Sequence, residues 1–309
     1  TFLVCGELMA LTSLLLVLAE HSHRAEVATA ARWYAVMTHL GFVAILIGLL
    51  VLTGHADNDS FPALRVAAST LSPTTAGMVF ALTLIGFAPK AGILPLHAWL
   101  PRAHPEAPSH VSALMSAAMV TLGVYGIVRV GLDLLGGGAH WWWLLVLALG
   151  AISAVYGILQ AAIGTDLKRL LAYSTTENMG LVLIGVGAGG LFAAAGNTLL
   201  AGLALTAALL HVINHAAFKT LLFLAAGSVL HATGSRDLDS LGGLRPGMPG
   251  TTAAFGLGAL AGSALPLGPA FVSEWLLLQA LVHGLAAGGV ATAVMMPIAV
   301  ATVALTAGL

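Results

Sequence analysis

Long apolar stretches, separated by short polar segments, dominate the sequence. About 20 apolar residues of α-helix cross the hydrocarbon core of a bilayer, and this chain contains run after run of that length. The runs do not alternate in polarity as the strands of a transmembrane barrel would, so the pattern predicts an all-α polytopic membrane protein. Hydropathy and helix breakers together predict nine spans: 1–19, 33–53, 74–99, 109–132, 141–163, 170–187, 191–232, 251–283 and 288–309. The seventh exceeds one straight crossing, which predicts either a bend near Asn214 or a helix that extends beyond the membrane.

Proline residues interrupt two of the predicted spans. The third span and the segment after it contain five of them: Pro89, Pro95, Pro101, Pro105 and Pro108. Pro266 and Pro269 interrupt the eighth span, five spans later. Each proline ring removes a backbone donor, and at membrane depth such a break is tolerated only where neighbouring groups or water satisfy the freed backbone groups. A simple kink would explain either break alone, whereas two breaks at matching positions predict two structural repeats whose discontinuous helices mark ion sites.

Composition narrows the class of protein further. Of the 309 residues, 59% are hydrophobic and only 7% are charged, so lipid must be the main solvent of the chain. The formal net charge is -1, and no Lys/Arg cluster is long enough to indicate nucleic acid or an anionic lipid patch. The single cysteine, Cys5, supports neither a disulfide framework nor a thiolate metal site, so we expect no cofactor in this chain. Because the sequence starts at Thr1 and ends inside an apolar run, we expect it to be a fragment.

Four charged residues fall inside or beside apolar helical runs: Glu7, Lys90, Lys219 and Glu274. A charge at bilayer depth costs at least several kcal/mol unless it is paired or hydrated, so such residues usually face the protein interior and serve function. Structural ion pairing is the alternative explanation. Burial and a nearby carboxylate have opposite effects on a lysine ammonium, so a glutamate that moves toward or away from Lys90 would make the lysine alternately hold and release its proton.

Histidines extend the polar face around one of these lysines. His211, His215 and Lys219 are spaced by four residues and therefore line one face of a helix. Neutral imidazole both donates and accepts hydrogen bonds, so this face could relay protons through ordered water. Zinc binding by the two histidines is the alternative, although neither an HExxH glutamate nor a cysteine supports it. His39 and His97 are more typical of core histidines whose hydrogen bonds are satisfied.

Further charges lie near the start of the sixth predicted span. Glu177 falls within its first turns, where the side chain would either reach the interface or line a water entrance. Asp166, Lys168 and Arg169 form a short charged turn that is typical of a topology signal.

Four motifs reveal a resemblance that covers nearly the whole chain. They are KAGILPLHAWLPRAHPEAPSHVSALMS, TDLKRLLAYSTTENMG, HVINHAAFKTLLFLAAGSVLHATG and FVSEW. Together they resemble the antiporter-like proton-channel family. This family includes the large membrane-arm subunits of respiratory complex I, the large Mrp antiporter subunits, and the membrane subunits of hydrogenase 4 and formate hydrogenlyase. The segments AHPEAPSHVSALMS and FVSEW are most similar to the branch of hydrogenase 4 component B.

The resemblance implies a fold of two inverted five-helix repeats, each with one discontinuous helix. Residues 1–135 would hold the last four helices of the first repeat, and residues 136–309 would form the second. Six positions match the family's proton-translocating residues: Glu7, Lys90, His211, His215, Lys219 and Glu274. In the family these are a paired glutamate, the lysine of the first broken helix, two connecting histidines, a central lysine and a terminal charge.

One departure from the family pattern concerns the helix after the first break. Many relatives carry a lysine or histidine there, whereas this sequence has Ser116 and Thr121. Water held by the two hydroxyl groups could replace the missing side chain, or the first repeat could connect poorly to the second. Both readings stay open, and Glu177 joins Ser116 and Thr121 as a candidate accessory residue.

The function implied by the resemblance is translocation of protons, with sodium as the alternative ion. Electron transfer in partner subunits would drive it, in a hydrogenase-like or complex I-like assembly. Those subunits would form a peripheral redox arm that holds iron–sulfur and nickel–iron centres, beside further membrane-arm subunits in a bacterial or archaeal cytoplasmic membrane. An Mrp-type cation/proton antiporter and a membrane partner of inorganic-carbon uptake are the alternatives, while four buried charges argue against a purely structural anchor.

Overall fold

Helices make up most of the computed structural model, which describes residues 1–20, 25–266, 268–284 and 290–308. The first half of the chain contains α1 (Phe2–Val17), α2 (Ala25–Thr53), α3 (Phe61–Ala68), α4 (Pro73–Ala91), α5 (Leu100–Glu106) and α6 (Ser109–Leu134). The second half contains α7 (His140–Ile163), α8 (Leu167–Ala194), α9 (Thr198–Thr233), α10 (Pro249–Gly262), α11 (Pro269–Gly284) and α12 (Val290–Gly308). Short turns of helix also occur at Leu18–Glu20 and Leu244–Gly247, and α6 has π-helical turns at Met115–Met119 and Arg129–Leu134.

Six helices of the described residues are long and apolar enough to cross a membrane: α2, α4, α6, α7, α8 and α9. Shorter apolar helices lie at Phe2–Val17 and Met295–Thr306. The all-α membrane fold predicted from hydropathy is therefore confirmed, while the count of nine spans remains a prediction.

The predicted bounds of the seventh span were wrong at its start. Residues 191–194 belong to α8, and α9 begins only at Thr198, where the Asn197 side chain caps the helix by accepting from Leu200 N at 3.1 Å. From there α9 continues for 36 residues as one helix. At about 1.5 Å per residue this exceeds the roughly 30 Å of a hydrocarbon core, so α9 extends beyond the apolar layer.

The first proline-rich stretch breaks the chain of helices as predicted. Helix α4 ends at Gly92, which has a φ of +70° and so takes a conformation that L side chains rarely adopt. Other elements satisfy the backbone groups freed by the break. The Trp99 indole donates to Pro89 O at 2.7 Å, and Leu94 N donates to the Ser153 hydroxyl of α7 at 3.0 Å. The interruption is therefore tolerated because neighbours replace the lost helical bonds.

The second proline pair separates α10 from α11. The break falls between Gly262 and Pro269, within the eighth predicted span. Here Asn214 of α9 donates to Pro269 O at 2.6 Å, in the same way that Ser153 and Trp99 serve the first break. Asn214 thus bonds to a neighbouring helix and does not interrupt its own, which explains why no break occurs at this position.

Helix α8 lies at the centre of the molecule, since nearly all of its apolar stretch is buried by other helices. Small residues let α7 approach it closely. A Cβ atom on Gly157 would lie 2.5 Å from Glu177 N, and one on Gly180 would lie 2.5 Å from Ala154 N. The close contact between α7 and α8 fixes the position of the polar residues of α8 within the bundle.

Candidate functional site

Three charged side chains from three different helices line one cavity of about 230 Å³. Glu177 comes from α8, Lys219 from α9 and Glu274 from α11, and all three are buried. Glu177 lies close enough to the other two for direct electrostatic interaction. We call this arrangement the central cavity. It combines two carboxyl groups with one amine inside an apolar bundle, so a proton can reside on any of three groups.

Hydrogen bonds hold the lysine and one carboxylate in place. Lys219 Nζ donates to Leu171 O on α8 at 3.0 Å, and Asn178 Nδ2 donates to the Glu177 carboxylate. Glu274 differs, because its Oε2 is buried and has no hydrogen-bond partner among the described residues. Buried carboxylate oxygens are normally satisfied, so Glu274 is the group of the three with spare capacity to accept a hydrogen bond.

His211 connects the central cavity to the second helix break. Its Nε2 lies 2.9 Å from Asn178 Oδ1, and its Nδ1 lies 2.9 Å from Ser273 Oγ. Asn178 also donates to Glu177, so its amide oxygen faces the histidine and can only accept. His211 therefore donates from Nε2. A continuous hydrogen-bond chain runs from Ser273 through the imidazole and the Asn178 amide to the Glu177 carboxylate, and it occupies both ring nitrogens that a metal ion would need.

Two buried histidines have ring nitrogens without partners in the part of the chain that the structure describes. His215 packs against the Phe218 ring at 5.4 Å, and His104 stacks on the Phe223 ring at 5.0 Å. Each is within electrostatic range of Lys219. Sequence reasoning selected His215 and missed His104, which precedes a proline in α5 and shows no helical spacing to the other polar residues.

The two hydroxyl residues that depart from the family pattern behave differently. The Ser116 hydroxyl lies 2.8 Å from the Thr175 hydroxyl. Thr175 donates to Leu171 O at 2.9 Å, and the same carbonyl oxygen also accepts from Lys219. Thr121 instead donates to Ala118 O of its own helix at 2.8 Å. Of the two, the structure brings Ser116 to the surroundings of Lys219 and leaves Thr121 outside.

A second group of polar residues lies in the first half of the chain. Lys90 is buried in the last turn of α4, within electrostatic range of Glu7. Glu7 Oε1 lies 3.1 Å from His39 Nε2, and His39 Nδ1 lies 2.8 Å from Ala35 O. Because a carbonyl oxygen only accepts, His39 donates from Nδ1, so its contact with Glu7 requires a second proton on Nε2 or on the carboxyl group. Both ring nitrogens of His39 therefore have partners, as expected, but the side chain is partly exposed and contacts Glu7, so His39 is not a core histidine.

Charged residues also join the first helix break to the second half of the chain. The Arg236 guanidinium contacts Glu106 Oε1 at 2.9 Å and Asp166 Oδ2 at 2.6 Å, and the buried Lys168 donates to Ala107 O. We call Arg236, Glu106 and Asp166 the arginine clamp. The turn that the sequence indicated as a topology signal therefore also anchors α5, a contact between residues 130 positions apart that no local pattern could reveal.

Comparison with known proteins places the chain in a family. Residues 1–303 match the family described as "NADH:quinone oxidoreductase/Mrp antiporter, TM". The chain therefore belongs to this family of antiporter-like subunits, which confirms the resemblance inferred from the four motifs. Together with the six apolar helices, the family identifies it as an integral membrane protein.

Individual relatives come from several kinds of complex. Hydrogenase-4 component B of Escherichia coli (strain K12) is 43% identical over 100% of this chain and 46% of that protein. A chain of the membrane-bound sulfane sulfur reductase, an archaeal respiratory membrane complex, has a TM-score of 0.83 at 26% identity, covering 98% of this chain and 59% of that one. A chain of the Mrp complex from Dietzia sp. DQ12-45-1b also has a TM-score of 0.83 at 26% identity, covering 99% and 55%. This chain thus spans about half the length of the proteins that it matches.

Proposed function

We propose that this chain translocates protons across the membrane as the antiporter-like subunit of a redox-driven, hydrogenase-like or complex I-like pump. The observation that supports the proposal most strongly is the central cavity, which is lined by three buried charged side chains, Glu177, Lys219 and Glu274. Burying three ionisable groups at bilayer depth is expensive, and bundle-facing charges of this kind mark ion pathways in membrane proteins.

The proposed path contains the six residues selected from the sequence, with Glu7 and Lys90 in the first half of the chain and His211, His215, Lys219 and Glu274 in the second. We assign Glu177 to the path itself and no longer to its accessory residues. It lines the same cavity as Lys219 and Glu274, and hydrogen bonds connect it through Asn178 to His211. Ser116 remains accessory through Thr175.

The step we infer at the central cavity is a transfer of charge between neighbours. A proton on Lys219 is attracted by Glu177, and a proton that leaves the amine can be taken up by Glu274, whose Oε2 has no partner in the described residues. His211 can pass a proton only if Ser273 and Asn178 change their hydrogen bonds in concert.

We further propose that residues 1–135 form most of the first of two inverted repeats and that residues 136–309 form the second. Each half contains one interrupted helix, and in each case a side chain from a neighbouring helix bonds to the backbone at the break, Ser153 to Leu94 N and Asn214 to Pro269 O. Discontinuous helices in corresponding places are the usual framework of ion sites in repeat-built transporters.

Sequence identity favours a redox-driven assembly over an Mrp-type antiporter. Hydrogenase-4 component B is 43% identical along the entire chain, whereas the Mrp chain is 26% identical. By this reasoning, iron–sulfur and nickel–iron centres would reside in a peripheral redox arm, and the chain would contact further membrane-arm subunits in a bacterial or archaeal cytoplasmic membrane. The alternative is an Mrp-type antiporter subunit, which the equal TM-scores of the two solved structures support.

Ion movement in sealed vesicles tests the proposal. The intact complex would be purified with its natural partners, reconstituted into liposomes, and supplied with the electron donor and acceptor of its redox arm. We expect donor-dependent acidification of one compartment that a protonophore abolishes and that sodium-free buffer leaves unchanged. A pH gradient that forms only when a sodium gradient is imposed, with or without electron donor, would contradict the redox-driven pump and support the antiporter. Donor-dependent transport that requires sodium would identify sodium as the ion.

A further inference from the structure

A second polar cavity, which shares no lining residue with the central cavity, lies beside the first helix break. It has a volume of about 310 Å³, and its polar lining comes from His97, Arg102, Tyr156, Arg169 and Tyr173. We call this cavity the basic pocket. The His97 ring packs edge-on against Tyr156 at 5.1 Å, and the two tyrosine rings lie 6.1 Å apart. Its lining contains two guanidinium groups and no carboxylate, so its chemistry favours an anion.

The arginines of the basic pocket lack the carboxylate partners that three other arginines have. Arg65 and Arg129 both pair with Asp133, and Arg236 pairs with Glu106 and Asp166. By contrast, no carboxylate of the residues that the structure describes lies within ion-pair distance of Arg102 or Arg169.

Asp166, three residues before Arg169, already has other partners. Asp166 accepts from the backbone N of Arg169 through Oδ1 at 2.9 Å and holds Arg236 through Oδ2. Arg102 donates to Ala98 O at 2.8 Å and lies over the Trp33 ring at 4.4 Å. Both guanidinium groups therefore keep free N–H donors, and such planar forks bind phosphate oxygens in pairs.

The depth of the basic pocket matches the edge of the bilayer. Arg169 lies in the first turn of α8, Tyr156 lies about two turns before the end of α7, and Trp33 lies about two turns into α2. Tyrosine and tryptophan concentrate at membrane interfaces, and arginine pockets between helices at this level bind anionic lipid headgroups.

An apolar track leads from the pocket toward the bilayer core. Six residues of α2 repeat at helical spacing on one exposed face: Trp33, Val36, Leu40, Val43, Ile47 and Leu50. Trp33 is the ring that Arg102 covers, so this face starts at the pocket and continues for about 25 Å along the helix. A free phosphate ion would not contact this apolar face, whereas the acyl chains of a lipid would pack along it.

From these features we propose that the basic pocket binds the phosphate of an anionic phospholipid, with its acyl chains along the exposed face of α2. Sequence reasoning found no anionic lipid patch because Arg102 and Arg169 are 67 positions apart and only the fold brings them together. The site uses none of the residues of the central cavity.

Lipid retention by the intact complex tests the proposal. Wild type, Arg102→Gln, Arg169→Gln and the double variant would be reconstituted in phosphatidylcholine nanodiscs that contain a minor fraction of phosphatidylglycerol, and bound lipid would be measured by native mass spectrometry. Arg245→Gln is the matched control, because Arg245 is exposed in the helical turn Leu244–Gly247 and does not line the pocket. We expect each pocket variant to weaken phosphatidylglycerol binding roughly five-fold, the double variant more, and the control to behave as wild type.

Two outcomes would overturn the proposal. Equal phosphatidylglycerol retention by wild type and the double variant would mean that the pocket does not select anionic lipid. Binding of inorganic phosphate with the same dependence on both arginines, and displacement of the lipid by it, would mean that the site takes a soluble anion instead.

Discussion

Gly157 gives the sharpest test of how the helix packing positions a charged residue. A Cβ atom at this position would lie 2.5 Å from Glu177 N, 2.8 Å from Glu177 Cα and 2.8 Å from Tyr173 O. All three are backbone atoms of α8, so no side chain can rotate away. Ordinary carbon contacts are about 3.5–4.0 Å, which means that Gly157→Ala must separate α7 from α8 by roughly 1 Å and shift Glu177 with it.

Two opposing effects determine how much Gly157→Ala changes the unfolding free energy. Forcing an extra carbon into a well-packed contact costs about 1–3 kcal/mol, while alanine is better than glycine in a helix by about 1 kcal/mol. Gly202→Ala serves as the matched control, since Gly202 lies on an exposed face of α9 and a Cβ there would meet no atom within 4 Å. The difference in unfolding free energy between the two variants therefore reports the packing cost alone.

The assay compares both variants as purified complexes. We expect Gly157→Ala to unfold about 1–3 kcal/mol more easily than Gly202→Ala, measured by an equilibrium method such as steric trapping, and to transport protons more slowly at matched assembly. If the two variants unfold with the same free energy and transport equally, then the close contact of α7 with α8 does not position Glu177, and the reasoning is wrong.

Two further predictions concern the hydrogen bonds around the site. Asn178→Leu removes the acceptor for His211 Nε2 and the donor to Glu177. Leaving a buried donor unsatisfied costs about 1–3 kcal/mol, so we expect both thermal stability and proton transport to fall. An unchanged melting temperature would mean that His211 finds another partner. Arg236→Gln opens the arginine clamp, but the Arg236 side chain is partly exposed, so we expect a loss of about 1 kcal/mol or less in thermal unfolding, and a larger loss would show that the clamp is a main anchor of α5.

Much of the architecture could be predicted because lipid imposes a simple rule on sequence. Apolar runs of the required length gave the spanning helices, and proline gave both interruptions, since its effect on the backbone is local. Contacts between residues far apart in the sequence could not be predicted. Nothing near Arg236 in the sequence indicates Glu106, and nothing near Glu7 indicates that His39 would be its partner.

Candidate site residues were found where the charge itself was the signal. Lys90, Lys219 and Glu274 stand out because a charge inside an apolar run needs an explanation. Glu177 was expected near the interface because the span was predicted to begin at 170. Helix α8 begins at Leu167, and ten residues at about 1.5 Å each bring Glu177 roughly 15 Å into a helix that is surrounded by others. His104 could not be found, since only the fold brings it close to Lys219 and Phe223.

We propose that Lys219 and Glu274 carry protons through the central cavity. The most direct measurement is donor-driven proton transport by the reconstituted complex carrying Lys219→Gln or Glu274→Gln, with Asp239→Asn, an exposed loop carboxylate, as the control. Both substitutions keep the approximate length of the side chain while removing the ionisable group.

The outcome is read at matched assembly and matched electron-transfer activity. We predict that transport is lost in Lys219→Gln and in Glu274→Gln, while Asp239→Asn transports as wild type does. Transport at the wild-type rate in both cavity variants would contradict the account, because it would mean that these buried charges only stabilise the bundle.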